Sequence, residues 1–105
     1  MNQERIKQLT EMLTKEPNDC FLNHALGMEY LSSAKFEQAI NCFRKVLSID
    51  SNYLGTYYQL GQALEKSGNP NEAVKVYKIG IDLAKAKGDT KAAGELIQAF
   101  WMLEE

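Results

Sequence analysis

The fold is decided by the stretch Asn23-His24-Ala25-Leu26-Gly27-Met28-Glu29-Tyr30, which recurs in outline 34 residues later as Tyr57-Tyr58-Gln59-Leu60-Gly61-Gln62-Ala63-Leu64. Both stretches have apolar residues at helical spacing around an interior glycine, although glycine costs roughly 1 kcal/mol there relative to alanine. The same shift aligns Ala39 with Ala73 and Phe43 with Tyr77. A unit that recurs at this period is a supersecondary structure, which must stack on its neighbours to bury its apolar faces.

Apolar spacing and turn residues divide the chain into six predicted helices. They cover about 2–15, 18–32, 36–49, 53–66, 70–86 and 90–104. No run alternates with the period of two that is typical of strands. The sequence therefore predicts an all-α protein.

Residues between the helices indicate how each helix begins and ends. The pair at 51–52, Ser-Asn, offers an N-cap for the fourth helix. Gly68 can adopt the left-handed conformation that ends a helix, and Asn69 with Glu72 predicts a capping box at the start of the fifth. In the first copy Ala34 stands where the second has Gly68. Alanine is strained in that conformation, so we expect a less favourable turn there.

The chain resembles the tetratricopeptide repeat (TPR) family, whose pattern is Trp-x2-Leu-Gly-x2-Tyr followed by Ala-x3-Phe and Pro. The matching residues are Asn23, Leu26, Gly27, Tyr30, Ala39 and Phe43 in the first copy, and Tyr57, Leu60, Gly61, Leu64, Ala73 and Tyr77 in the second. The resemblance implies a right-handed α-α superhelix of antiparallel helical hairpins with about six helices. It implies a single TPR domain at 1–105, with a flanking helix at 2–15, repeats at 20–53 and 54–87, and a capping helix at 90–104. In such hairpins the glycines lie where paired helices cross, and Asn23 in place of an aromatic residue should loosen the first copy.

Composition and charge argue against several function classes. The net charge of −2 over 105 residues is far from the basic balance that nucleic-acid binding favours. No apolar segment approaches the roughly 20 residues of a membrane span. Cys20 and Cys42 are 22 residues apart and form no CxxC pair, so we expect no metal site. No apolar signal core follows Met1, which favours a reduced cytoplasmic protein if the chain is not a fragment.

The sequence contains no catalytic constellation. His24 is the only histidine, and no residue pattern nominates a nucleophile or an orienting partner for it. Glycine-rich phosphate loops and nucleophile elbows are absent from the sequence. We therefore expect a protein without catalytic residues or cofactors that is not an enzyme.

A second stripe on the second helix lies almost opposite its core stripe and consists of Phe21, His24, Met28 and Leu31. A helix with two apolar faces is either buried twice or offers one face to a partner. In proteins that this chain resembles, such faces line a concave groove that holds peptides, which the second copy would line with Tyr58, Gln59, Gln62 and Glu65. The alternative is that the first helix folds over the stripe and buries it.

Some TPR proteins hold a partner's C-terminal carboxylate with lysine, arginine and asparagine. The matching positions here are His24, Met28, Gln59, Asp89 and Ala93, none of which is such a residue. Because the groove instead offers Phe21, Met28, Leu31 and Tyr58, we expect a peptide segment with apolar or aromatic anchors. The predicted function is a non-enzymatic interaction scaffold, an adaptor or assembly factor whose partner is another protein.

Trp101 and Met102 near the end of the chain leave a different class of function open. They follow Phe100 on the sixth helix, where Phe100 belongs to the apolar stripe. If Trp101 does not fold back on the fifth helix, this end of the chain is a candidate surface for pairing two copies. The alternative function is therefore a self-associating module that forms a homodimer through its groove or its terminal helix.

Overall fold

The computed structural model describes residues 3–103, which form six helices and no strand. The helices are α1 (Gln3–Lys15), α2 (Cys20–Ser32), α3 (Phe36–Ile49), α4 (Gly55–Lys66), α5 (Pro70–Lys87) and α6 (Thr90–Leu103). The all-α prediction is confirmed. Within the described range each helix end lies within about two residues of its predicted position, while predicted ends at 2 and 104 lie outside that range.

The helices form two compact units, which divide between Tyr53 and Leu54. In the first unit α2 packs against both α1 and α3. In the second unit α5 packs against both α4 and α6, and α4 also touches α6. The division coincides with the position at which the sequence pattern begins its second copy.

Each unit has a close helix crossing at the glycine that the sequence repeats. A Cβ atom placed at Gly27 would lie 2.5 Å from Cε1 of Phe43, and one at Gly61 would lie closer still to the ring of Tyr77. Both rings are fully buried. Because glycine has no Cβ, each buried ring can pack directly against the backbone of the other helix in its hairpin, as predicted.

Within the second unit, α6 packs against the other helices through three buried residues, Ala93, Leu96 and Ala99. Leu96 packs over a third close glycine, because a Cβ at Gly80 would lie 3.1 Å from Cδ1 of Leu96 and 2.9 Å from Cβ of Tyr57. The sequence pattern did not indicate Gly80. It enables α5 to lie close to α4 and α6 together.

Helix capping follows the prediction only in part. Asp19 caps α2, and its carboxylate accepts a hydrogen bond of 2.9 Å from the backbone N–H of Leu22. The predicted cap at 51–52 is wrong, since α4 begins only at Gly55. The carboxylate of Asp50 accepts from the backbone N–H of Asn52 instead, which stabilises a turn before the helix.

The predicted capping box at α5 is also wrong. The Asn69 side chain makes no capping hydrogen bond, because its amide turns back and donates to the Ser67 hydroxyl at 2.9 Å. Pro70 nevertheless occupies the first turn of the helix, as expected from its fixed φ angle. The boundary is thus set by the turn and the proline.

Asn23 has a structural role that differs from the predicted loosening. Its side chain is buried, and its amide donates to the backbone carbonyls of Pro17 at 3.1 Å and Asp19 at 2.9 Å. A buried amide that is satisfied in this way stabilises the segment it binds. Asn23 therefore ties the α1–α2 loop to α2 where the second copy has a buried aromatic ring, Tyr57.

Three helices end in the same left-handed turn, and one of these turns contains alanine. Gly68 and Gly88 have φ angles of 88° and 72°, and Ala34 has a φ of 59° at the end of α2. After each helix the next N–H bonds back to a carbonyl in the last helical turn, as in Lys35 N–H to Tyr30 C=O at 2.9 Å. Alanine pays roughly 1–2 kcal/mol in this conformation, whereas glycine does not.

We expect Ala34→Gly to raise the melting temperature or leave it unchanged, because relief of strain offsets the greater flexibility of unfolded glycine. The matched change Gly68→Ala should lower stability by about 1 kcal/mol, since it introduces the same strain in the second copy. Thermal unfolding followed by circular dichroism measures both. A loss of several degrees in Ala34→Gly would show that this turn is not strained.

Candidate functional site

The four predicted stripe residues of α2 differ in their exposure. Phe21 is 64% exposed, whereas His24, Met28 and Leu31 are half-buried. Helix α1 contacts α2 elsewhere, through a buried cluster of Leu9, Leu22 and Leu26 to which Phe21 does not belong. Phe21 is therefore a large apolar side chain on the surface of the first unit.

The surroundings of His24 are aromatic. Its ring centroid lies 5.5 Å from that of Phe43 and 5.7 Å from that of Tyr53, with tilted planes. Burial lowers the pKa of His24, because the protonated form is poorly solvated there. The ring is therefore uncharged at neutral pH.

In the second unit the predicted residues of α4 lie together along one groove. Tyr58, Gln59, Gln62 and Glu65 line one side of a cavity of about 560 Å³, and its other lining residues, from α6, are Glu95, Gln98, Ala99 and Met102. The resemblance placed Ala93 of α6 at this surface, whereas the structure buries Ala93 and lines the groove with four other residues of α6. We call it the α4–α6 groove.

A buried hydroxyl orients one carboxylate of this groove. Tyr77 is fully buried, and its hydroxyl donates a hydrogen bond of 2.5 Å to Oε2 of Glu65. The amide of Gln62 donates to the same hydroxyl at 2.8 Å. Burial, followed by the hydrogen bond to Glu65, raises the pKa of Tyr77. The hydroxyl therefore stays protonated at neutral pH and acts as a fixed donor.

The three residues of this cluster are replaced together in the first copy. Shifting by 34 residues places Phe43 on Tyr77, Met28 on Gln62 and Leu31 on Glu65. The apolar residues of the first copy thus become a connected set of hydrogen-bonding residues in the second. The sequence contains this signal, but it is visible only when the three substitutions are read as one set.

The change Tyr77→Phe tests the energetic value of the cluster. Phenylalanine retains the ring that packs over Gly61 and removes only the hydroxyl, so we expect a loss of about 1 kcal/mol, or roughly 5 °C in melting temperature. Adding Gln62→Met and Glu65→Leu reproduces the residues of the first copy. The triple variant should be more stable than the sum of the three single changes predicts; additive effects would contradict a coupled cluster.

Trp101 and Met102 lie in different grooves, although they are neighbours in sequence. Trp101 is 65% exposed and borders a cavity of about 340 Å³ beside Ile81 of α5. Met102 is 71% exposed and belongs to the α4–α6 groove. The cavity beside Trp101 also contains Lys78, whose Nζ lies 5.5 Å from the ring centroid of Phe100. The two residues therefore border different cavities.

Other classes of site have little support between residues 3 and 103. No group of three or more histidine, cysteine, aspartate or glutamate side chains is arranged to bind a metal ion there. Cys20 and Cys42 are free thiols, and burial raises the pKa of Cys42 to about 11. In the same range, no helix combines the length and the hydropathy that crossing a bilayer requires.

Comparison with known proteins agrees with the repeat pattern. TPR family profiles match residues 27–68 and 54–87. A TPR repeat-containing protein of Pseudomonas aeruginosa is 28% identical over 91 residues, which cover 87% of each chain. A solved tetratricopeptide repeat domain protein of Salinibacter ruber is 32% identical, with a TM-score of 0.76 over 82% of this chain and 96% of its own.

A more distant structure shares the fold alone. The TPR2B domain of yeast Sti1, solved as a complex with pHsp70, superimposes with a TM-score of 0.88 at 18% identity, over 94% of this chain and 79% of its own. One family assignment follows from the two close helix crossings, the repeated Leu-Gly pair and the family matches to both copies. The chain belongs to the tetratricopeptide repeat family.

Proposed function

We propose that this protein is a non-enzymatic interaction module, an adaptor or assembly factor, which binds a peptide segment of another protein in its α4–α6 groove. The TPR fold is a protein-interaction fold, and the solved Sti1 domain that shares it is in a complex with pHsp70. The observation that carries the proposal is that Tyr58, Gln62 and Glu65 lie along one cavity.

The chemistry of this groove suits a polypeptide. The amides of Gln59 on α4 and Gln98 on α6 lie on opposite sides of the groove and can donate to and accept from a peptide backbone. Tyr58, Ala99 and Met102 supply apolar surface, and methionine adapts its shape to different side chains. The groove volume of about 560 Å³ falls within the roughly 300–1,000 Å³ that ligand-binding pockets occupy. A segment with an apolar or aromatic anchor fits these groups.

The α2 stripe of the first unit is proposed as a second contact surface. Phe21 is exposed, and Met28 and Leu31 are half-buried beside it on the same helix. Large exposed apolar side chains of this kind are common where proteins bind partners.

Selection of random dodecapeptides displayed on phage, with the full chain as bait, tests the proposal. The double variant Met28→Asp and Tyr58→Ala should abolish binding of the enriched peptides and retain the helical circular dichroism. Loss of buried anchors at an interface typically costs more than 1 kcal/mol each.

Matched controls use the same chemical changes at other sites. Met12→Asp alters a methionine that is 51% exposed on α1, and Trp101→Ala removes an exposed aromatic ring outside the α4–α6 groove. Both should bind the peptides as the unmodified chain does. Full binding by the double variant, or failure of any peptide to be enriched, would reject the proposed function.

A second candidate function is self-association through α6, which the exposure of Trp101 and Met102 favours. In that case light scattering at micromolar concentration should give twice the monomer mass of 11.9 kDa. Trp101→Gln with Met102→Gln should restore the monomer. A monomer for the unmodified chain would reject this candidate.

A further inference from the structure

We propose that the α4–α6 groove selects a segment which carries a lysine or arginine side chain, and that Glu65 and Glu95 bind this cation. The inference rests on the proposed function and specifies the chemistry of the partner. It concerns the second unit alone, in which both carboxylates and all the groups discussed below lie.

Charge is distributed unevenly between the two grooves of this unit. Among the described residues that line the α4–α6 groove, the charged ones are Glu65 and Glu95, so its formal charge is negative. The groove beside Trp101 instead contains Lys78 and Lys85 together with Asp82. A groove that presents carboxylates without a resident cation attracts a basic segment and repels an acidic one. The occupant we infer is therefore cationic.

The two carboxylates approach the groove from different helices. Glu65 lies on α4 and Glu95 lies on α6, with the aromatic ring of Tyr58 and the thioether of Met102 lining the same cavity. A lysine or arginine has a long apolar stem and a charged end, so it can pack its stem on these groups while the end meets the carboxylates. This combination distinguishes the cavity from a merely acidic patch.

The Tyr77 hydroxyl holds Glu65 in place for this purpose. Phe43, at the same position of the first copy, packs over Gly27 without a hydroxyl, so the helix crossing does not require one. In the second copy the hydroxyl binds Glu65 at 2.5 Å and also accepts from Gln62. A carboxylate fixed before binding loses less side-chain entropy when it pairs with a cation. Tyr77 is thus a positioning residue.

The dodecapeptides enriched on the full chain provide the test. We expect them to contain more lysine and arginine than the unselected library. For a synthetic peptide of the most enriched sequence, Glu65→Gln with Glu95→Gln should weaken binding about tenfold in a fluorescence-anisotropy titration. The same variant should bind the counterpart peptide, with norleucine in place of lysine and citrulline in place of arginine, as the unmodified chain does.

Two further variants separate the groove from general electrostatics. Asp82→Asn removes one negative charge outside the groove and should leave the affinity unchanged. Tyr77→Phe should weaken binding of the cationic peptide and spare its neutral counterpart, which a loss of folding alone would not do.

The outcomes distinguish this inference from the proposed function. The enriched peptides could lack an excess of lysine and arginine while Tyr58→Ala still abolishes their binding. That result would overturn the cation inference and leave the peptide-binding function standing. An equal loss of affinity in Asp82→Asn would also overturn it. Absence of any enriched peptide would reject both.

Discussion

Gly61→Ala is expected to destabilise the protein by about 3 kcal/mol and to lower its melting temperature by more than about 10 °C. The added methyl group would overlap the ring of Tyr77, which is fully buried. Alanine has the better helix propensity by roughly 1 kcal/mol, so the overlap must outweigh a favourable term. Denaturant unfolding followed by circular dichroism measures the change.

Gly94→Ala is the matched control for this substitution. Gly94 lies on α6, and a Cβ placed there meets no atom within 4 Å. The variant should therefore gain up to about 1 kcal/mol from helix propensity alone. Equal effects at positions 61 and 94 would show that α4 and α5 do not cross as closely as described.

Removal of residues 90–105 is expected to abolish the cooperative unfolding of the second unit. It deletes the buried residues Ala93, Leu96 and Ala99, of which leucine alone contributes about 1.5–3 kcal/mol when fully buried. It also bares the surface around Gly80 and Tyr57 that Leu96 covers. A unit of this size has little stability to lose, so we expect a molten or aggregated chain.

Near-ultraviolet circular dichroism and light scattering of the 1–89 fragment measure this effect. The control is the full chain with Trp101→Gln and Met102→Gln, which alters only exposed side chains of α6 and should change stability by less than about 0.5 kcal/mol. A monomeric fragment with cooperative unfolding would contradict the capping role of α6.

The repeat could be predicted because its determinants are local and occur twice. Along the sequence, Gly27 precedes Phe43 by the same number of residues as Gly61 precedes Tyr77. Ala34 occupies the position in the first copy that Gly68 occupies, at a turn, in the second. Each of these features depends on backbone conformation or on one contact. Such features can therefore be predicted from residue type and spacing alone.

Features that depend on several residues at once could not be predicted in the same way. A residue such as Asn69 can bind either a backbone N–H at the start of the helix or a nearby side chain. In the structure its amide donates to the Ser67 hydroxyl. In the structure Leu96 of α6 packs over Gly80 of α5, and the sequence pattern did not indicate Gly80. Half of the groove lining, from α4, was predicted, and the half from α6 was not.

The most direct test of the account is to locate a bound peptide on the protein by two-dimensional NMR. The most enriched dodecapeptide would be titrated into the ¹⁵N-labelled full chain. We expect the largest shifts at Tyr58, Gln62 and Glu65 of α4 and at Gln98 and Met102 of α6. Largest shifts at Lys78 and Lys85, beside Trp101, would place the peptide in the other groove and contradict it.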